Sequence, residues 1–338
     1  MQLIKTPTKG MNDYLPRETR LREYVKGVII RAYEKSGFSM IETPAVEHIE
    51  NLTGKNGGDN EKLIFKIMKR GEKLNEAAGN DAELCDSGLR YDLTVPLSRY
   101  YANNQAKLPS PFMAMQIGNV WRADRPQKGR FRQFTQCDID ILGDSTQLAE
   151  ITLISATTGV LRELGFDNFT VRINDRRLLK VCADYCGFKP EDCDKVFITL
   201  DKMDKIGLDG VKRELVEEGF DEASVEKYVA LYENCDAVSV SEFAADRLGG
   251  NGADIAASLE SIMRCATAAT AGGCSLKFDP TLVRGMSYYT GTIFEISMDG
   301  YGYSVGGGGR YDEMLAKFSG QKTPACGFSL GFERIVAA

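Results

Sequence analysis

Histidine is almost missing from this chain: His48 is the only one in 338 residues. That scarcity removes most Ser-His-Asp, Cys-His and histidine-metal mechanisms unless His48 itself serves. Nine cysteines are present, but none lie in a C-x-x-C pair. Cys182, Cys186 and Cys193 cluster, yet with one histidine a zinc site there is not expected. Reduced structural thiols in a cytosolic protein are the expectation, with no metal site made of protein ligands alone. No apolar run approaches the ~18 residues needed to span a bilayer. The N-terminus, Met1-Gln-Leu-Ile-Lys-Thr-Pro, has no signal-peptide core. Neither G-x-x-x-x-G-K-S/T nor a G-x-G-x-x-G following a strand occurs, which excludes P-loop and Rossmann nucleotide sites. The net charge of −6 disfavours a surface coated for non-specific DNA binding. It leaves room for nucleic acid on a local basic patch. Chemistry must therefore rest on carboxylates, amides, tyrosines and arginines.

What is present is organised around residues 121–140. The first half is cationic, with Arg122, Arg125, Lys128, Arg130 and Arg132 against one acid, Asp124. Pro126 and Gly129 mark a turn inside it. Beyond the turn the residues alternate. Gln133, Thr135, Cys137, Ile139 and Ile141 share one side, and Arg132, Phe134, Gln136, Asp138 and Asp140 the other. This predicts a β-hairpin with a basic tip and a strand that has one core face and one polar face. Five like charges round one turn are expected to face an anion.

A helix is expected over residues 17–36, with Leu21, Tyr24, Val25, Val28 and Ala32 as its apolar stripe and Gly37 as its stop. A short edge strand ends at Pro44. Residues 50–62 and 71–86 read as loops and 63–68 as a strand. Residues 89–96 read as a strand-to-helix junction, where Asp92 or Thr94 could simply cap the helix. A helix runs to Leu164 and a strand over 168–173. Between 175 and 272 strand patterns vanish and helical segments follow one another, with no catalytic constellation. Strand character returns from residue 273, with Gly306–Gly309 allowing close backbone approach. Strands on both sides of a helical insertion predict an α+β fold built on one mostly antiparallel sheet. The domain division is 1–174 and 273–338 for the sheet domain and 175–272 for the insertion. The chain ends about one turn into a helix, which reads as a piece of a longer protein.

Three separated arginine sites, the hairpin, Arg284 and Arg334, suit phosphate oxygens. Asp92, Thr94, Gln136 and Asp140, with Tyr288 and Tyr289, suit a small amine-bearing ligand. With these residues in view, the chain resembles the catalytic core of class II aminoacyl-tRNA synthetases, and within them the histidyl-tRNA synthetase family. Residues 122–136 are similar to the second class II motif in its histidine-specific form. Leu282–Gly291 resembles the histidine signature and Gly308–Asp312 its second half. Gly327–Arg334 resembles the third motif, and the 17–36 helix with Pro44 the first, a dimer-interface motif.

The resemblance implies a class II antiparallel sheet flanked by helices. It implies a histidine site of Asp92, Leu93, Thr94, Gln136, Asp140, Tyr288 and Tyr289. Arg122 and Arg284 would be catalytic at the α-phosphate, and Asp124, Arg130, Phe134 and Arg334 would complete the ATP site. The implied partners are L-histidine, ATP with Mg2+, tRNA(His) and a second copy of the chain. Ser287 stands where the family usually has an acid, Thr135 where it has an aromatic or histidine, and the anticodon-binding domain does not follow. A relative of the same fold, the histidine-binding regulatory subunit of ATP phosphoribosyltransferase, is the alternative. Arg122, Arg284, Arg334, the intact hairpin tip and the helical insertion stand against it.

Overall fold

The alternation at residues 133–142 becomes the axis of the molecule in a computed structural model, which describes residues 3–53, 59–80, 83–126, 129–235, 238–284 and 288–338. In chain order the strands are β1 Ser39–Met40, β2 Val46–His48, β3 Lys66–Met68, β4 Cys85–Leu89, β5 Phe112–Trp121, β6 Gln133–Leu142, β7 Phe169–Asp175, β8 Ser275–Phe278, β9 Thr292–Met298, β10 Ser304–Arg310 and β11 Ala325–Gly331. Eight of them form one sheet, β1-β5-β6-β11-β10-β9-β7-β8. Only its outer pairs, β1 with β5 and β7 with β8, are parallel; every inner pair is antiparallel. The expected α+β plan is thus the observed one.

One face of the sheet builds the core. Cys137, Ile139 and Ile141 of β6 join the same buried cluster as Ile29 and Tyr33 of the helix Pro16–Lys35 and Leu153 and Val160 of the helix Leu148–Glu163. The N-terminal helix departs from its expected stripe. Val25, Val28 and Ala32 are buried with Ile29 and Tyr33, but Leu21 and Tyr24 are exposed. Its first turns dock through a charge instead. The Arg22 guanidinium lies 3.9 Å from the Tyr14 ring and 4.8 Å from the Phe332 ring, and grips Glu333 of the last helix, Phe332–Ala337.

Two expected loops contain short helical elements. Residues 50–62 hold the end of a short helix, Ile49–Thr53, and a 3-10 turn, Asp59–Leu63, and residues 71–86 hold the helix Glu72–Glu76. The strand expected at 63–68 is only β3, and it belongs to a separate sheet, β2-β4-β3. That sheet docks through buried Arg90, which donates to the carbonyls of Thr43 at 2.6 Å and Asn119 at 2.9 Å. The helix that follows the 89–96 junction starts within it, at Thr94, and carries Pro96 in its first turn, where a missing N–H is harmless. Between β7 and β8 the described residues hold helices and no strand, chief among them Arg176–Tyr185, Met203–Glu217 and Ala253–Ala269.

The glycine run is the middle of a strand. A Cβ on Gly308 would lie 1.9 Å from the carbonyl oxygen of Gly327, so β10 and β11 can only approach as they do without one. Gly308→Ala should lower stability by about 3 kcal/mol, at the upper end for overpacking. Gly159, by contrast, is exposed inside the helix Leu148–Glu163 with open space at its Cβ. Gly159→Ala should raise stability by about 0.5–1 kcal/mol through helix propensity. Urea denaturation of the two variants measures both, and equal midpoints would contradict the close approach.

Candidate active site

The polar face of β6 opens onto a cleft of about 870 Å³. Gln136, Asp138 and Asp140 succeed one another along it at the strand period. Asp92, Thr94, Arg122, Asp124, Arg130, Phe134, Arg284, Tyr288, Tyr289 and Arg334 line the same cleft. Residues scattered over more than 240 positions are brought together. Leu93 is the exception: it is fully buried behind the wall, its carbonyl accepting from Gln116 Nε2 at 3.1 Å.

The acidic side is almost sealed from solvent. Asp92, Asp138 and Asp140 are 3%, 4% and 4% exposed. Asp92 Oδ1 accepts the backbone N–H of Val95 at 3.0 Å, so it caps the helix as one reading of the sequence allowed. Its Oδ2 lines the cleft side unpaired. Gln136 Nε2 donates to Ser329 Oγ at 3.1 Å. Asp140 Oδ1 accepts from the Tyr311 hydroxyl at 2.5 Å. Sequence reasoning did not single out Tyr311, although it stands inside the Gly308–Asp312 motif. Tyr288 packs between Tyr289 at 4.7 Å and Tyr311 at 6.0 Å. A Cβ on Gly327 would lie 2.0 Å from Asp140 Oδ1, so the carboxylate takes the space a side chain on β11 would fill. Burial raises all three carboxyls above the usual carboxylate range. Asp140 is pushed up to about 7 by burial and the charge of Asp92, with the Tyr311 hydrogen bond pulling the other way.

The cationic side is built from two loops and the last helix. Arg122 Nε donates to the Tyr91 carbonyl at 2.9 Å, and its guanidinium lies 5.1 Å from the Phe134 ring. Arg284 has φ +58, a left-handed backbone that is uncommon for a residue with a side chain. It pairs with Glu295 at 2.7 Å and lies against Gly307, where a Cβ would be 2.5 Å from its Cζ. Arg334 bonds the Ser304 carbonyl and stacks 5.3 Å from the Tyr303 ring. Arg130 pairs with Asp124 at 2.9 Å. The basic tip is therefore not one patch. Arg122 turns into the cleft, Arg130 is held by Asp124, and Arg132 donates to the Asp124 carbonyl, its backbone N–H bonding Gly10. Lys128 and Ser287 lie outside the described residues. The helical insertion, in which no functional residue was expected, adds Asp201, Asp204 and Lys205 to the cleft wall.

Two further residues carry the frame. Glu333 accepts from Arg22 Nη2 at 2.9 Å and from the backbone N–H of Thr135 at 3.0 Å, tying the first helix, the last helix and β6 together. Thr135 Oγ1 meets Asn119 Oδ1 at 3.0 Å, a structural role. Arg310 makes a two-pronged pair with buried Glu150, both contacts at 2.7 Å. Neither was legible, because their partners lie 311 and 160 residues away.

The three acids bind protons more tightly folded than unfolded, where they sit near 3.8. Stability of the ligand-free protein should accordingly fall as pH rises from about 4 to about 7. Asp140→Asn removes its share and should flatten that slope, as urea denaturation at the two ends of the window will measure. An unchanged slope would mean that Asp140 ionises normally.

Comparison with known proteins identifies the family. The family profile described as histidyl-tRNA synthetase matches residues 10–335. A histidine–tRNA ligase of Leifsonia xyli subsp. xyli is 49% identical over 98% of this chain and 79% of its own length. One from Flavobacterium johnsoniae is 36% identical over 97% and 76%. The crystal structure of histidyl-tRNA synthetase from Nostoc sp. PCC 7120 superposes with a TM-score of 0.83 at 27% identity, covering 99% of this chain and 75% of that one. A structure titled ATP phosphoribosyltransferase regulatory subunit/histidyl-tRNA synthetase, from Bacillus halodurans, gives 0.81 at 22% identity over 100% and 84%, and shares the fold. With a profile spanning nearly the whole chain and relatives at this identity, the chain belongs to the histidyl-tRNA synthetase family, class II aminoacyl-tRNA synthetases.

Proposed function

We infer that this chain is a histidine–tRNA ligase that activates L-histidine with ATP and passes the histidyl group to tRNA(His). The observation that carries the reading is the single cleft with buried acids on one side and Arg122, Arg284 and Arg334 on another. The acidic side takes the amino acid. Asp92, Thr94 and Gln136 hold its α-amino group. Asp140 and Tyr289 hydrogen-bond the imidazole, with Tyr288 beside them. A competitor lacking the imidazole donors leaves buried polar groups unpaired and is rejected on that account.

The cationic side takes ATP, which enters as its magnesium complex. Arg122 and Arg284 flank the α-phosphate and neutralise charge as it builds there. Phe134 stacks on adenine, Asp124 addresses adenine or the magnesium, and Arg130 and Arg334 address the adenosine or the outer phosphates. The histidine carboxylate, already ionised, attacks the α-phosphorus in line. Pyrophosphate leaves with the electron pair of the broken P–O bond, and histidyl-adenylate remains. No general base is required, which suits a chain with one histidine. The terminal ribose hydroxyl of the tRNA then attacks the acyl carbon and AMP departs. Catalysis is positioning plus fixed charge.

We divide the chain into a sheet domain, 1–174 with 273–338, and a helical domain, 175–272. Exposed Leu15, Leu21, Tyr24 and Met40 around the first helix and the β1 edge supply an apolar face for a homodimer. No helix among the described residues is long and apolar enough to cross a membrane. A tRNA substrate supports a cytoplasmic location.

Histidine-dependent exchange of label between pyrophosphate and ATP tests the reading. Arg284→Ala should abolish exchange, a loss of at least roughly 100-fold on the scale of one transition-state charge contact, with histidine affinity little changed. Histidine binding without exchange in the unaltered chain would move it to the regulatory class.

A further inference from the structure

Asp138 has no part in the assignments above, yet it is the acid with the least local reason to exist. It lies on β6 between Gln136 and Asp140, facing Gln116 on β5 and Ser329 on β11. It lines the cleft and is 4% exposed. Its Oδ1 has no hydrogen-bond partner; the Ser329 hydroxyl and the charge of Arg122 act on the carboxyl but leave that oxygen unmatched. A position that served packing alone would be filled by an apolar side chain, as at Ile139 and Ile141. Leaving a carboxylate oxygen buried and unmatched beside Asp140 is costly unless something brings donors to it.

Two other unmatched buried oxygens line the same cleft, Asp92 Oδ2 and Gln136 Oε1. With the two carboxyls ionised, all three atoms only accept hydrogen bonds. The remaining unmatched buried atoms, on Tyr33, Thr157, Asn174, Thr199, Tyr228 and Tyr232, do not line it. A ligand that satisfies the cleft therefore presents three donors, no acceptor and positive charge. An alkylammonium group has that description. A metal ion does not fit as well, because no group of three His, Cys, Asp or Glu among the described residues is arranged to hold one.

We propose that Asp138 is a further acceptor of the substrate α-ammonium, a second carboxylate beside Asp92 in the set with Thr94 and Gln136. The proposal rests on the histidine-activation reading. It makes Asp138 a binding residue for any amino acid the cleft admits, while Asp140 and Tyr289 choose the side chain. The two carboxylates, at 138 and 92, both answer the one ammonium charge, and its arrival offsets their mutual repulsion.

Asp138→Asn tests this with three probes: histidine, histidinol, which keeps the ammonium and lacks the carboxylate, and ATP. Histidine and histidinol should each bind roughly 10- to 100-fold more weakly, the range for a hydrogen bond to a charged group. The KM for ATP should stay within about twofold, well under the tenfold that 1.4 kcal/mol would give. Equal loss for all three probes would make Asp138 a structural residue. Loss for histidine but not histidinol would place it at the carboxylate. Retained affinity for both would remove it from the site; each of these results overturns the proposal. If Asp138→Asn does not fold, Asp138→Ser carries the same comparison. An unaltered chain that binds neither histidine nor histidinol would instead overturn the histidine reading itself.

Discussion

Strand β6 is paired on both sides, along its whole length with β5 and over seven residues with β11. That double pairing holds its register, and the register decides everything else about the molecule. Cys137, Ile139 and Ile141 face the core, and Gln136, Asp138 and Asp140 face the cleft. A slip of one residue would put three polar groups into the core and expose the apolar ones. The long antiparallel hairpin and the close contact of Gly308 with the Gly327 carbonyl guard against it.

The cleft face is built at a cost in stability. Three carboxyls are buried within one cavity, and burial raises each above its ordinary range. Hydrogen bonds from Val95 and Tyr311 meet part of that cost. The cationic side is arranged differently. Arg130 has Asp124, Arg284 has Glu295, and Arg122 and Arg334 lean on backbone carbonyls and aromatic rings. The acidic side is thus underneutralised, and the cationic side is held in place by its own partners. A bound cation should stabilise the fold in proportion to its saturation of the acidic side.

Much of the fold was readable because its signals are local. The alternation at 133–142, the stop at Gly37 and the loss of strand pattern after Asp175 each sit within one window of sequence. The second sheet was not readable. β3 was expected within 63–68, but β2 has three residues, too few to show a period, and the two join one sheet only because β4 lies between them. Leu21 and Tyr24 continue the helical stripe of Val25 and Val28, but the helix docks at that end through Arg22, so the stripe stays exposed. A hydrophobic period says which side chains could be buried, and only the neighbouring surface says which are.

For the site, the sequence by itself determined the chemical inventory. One histidine ruled out the commonest proton-transfer devices, the arginines called for an anion, and the acids, amide and tyrosines called for an amine. Residue type is enough for that, since charge and donor count travel with the side chain. Only the tertiary structure decided who meets whom. It set Tyr311 against Asp140, Glu295 against Arg284, Glu333 against Arg22 and residues of the helical insertion against the cleft wall. It also separated Leu93 from the cavity and divided the basic hairpin tip. These pairings join positions far apart in the chain, and no local pattern encodes them. They arise when sheet register and packing bring distant side chains within hydrogen-bonding reach, and there burial raises a carboxyl above its ordinary range.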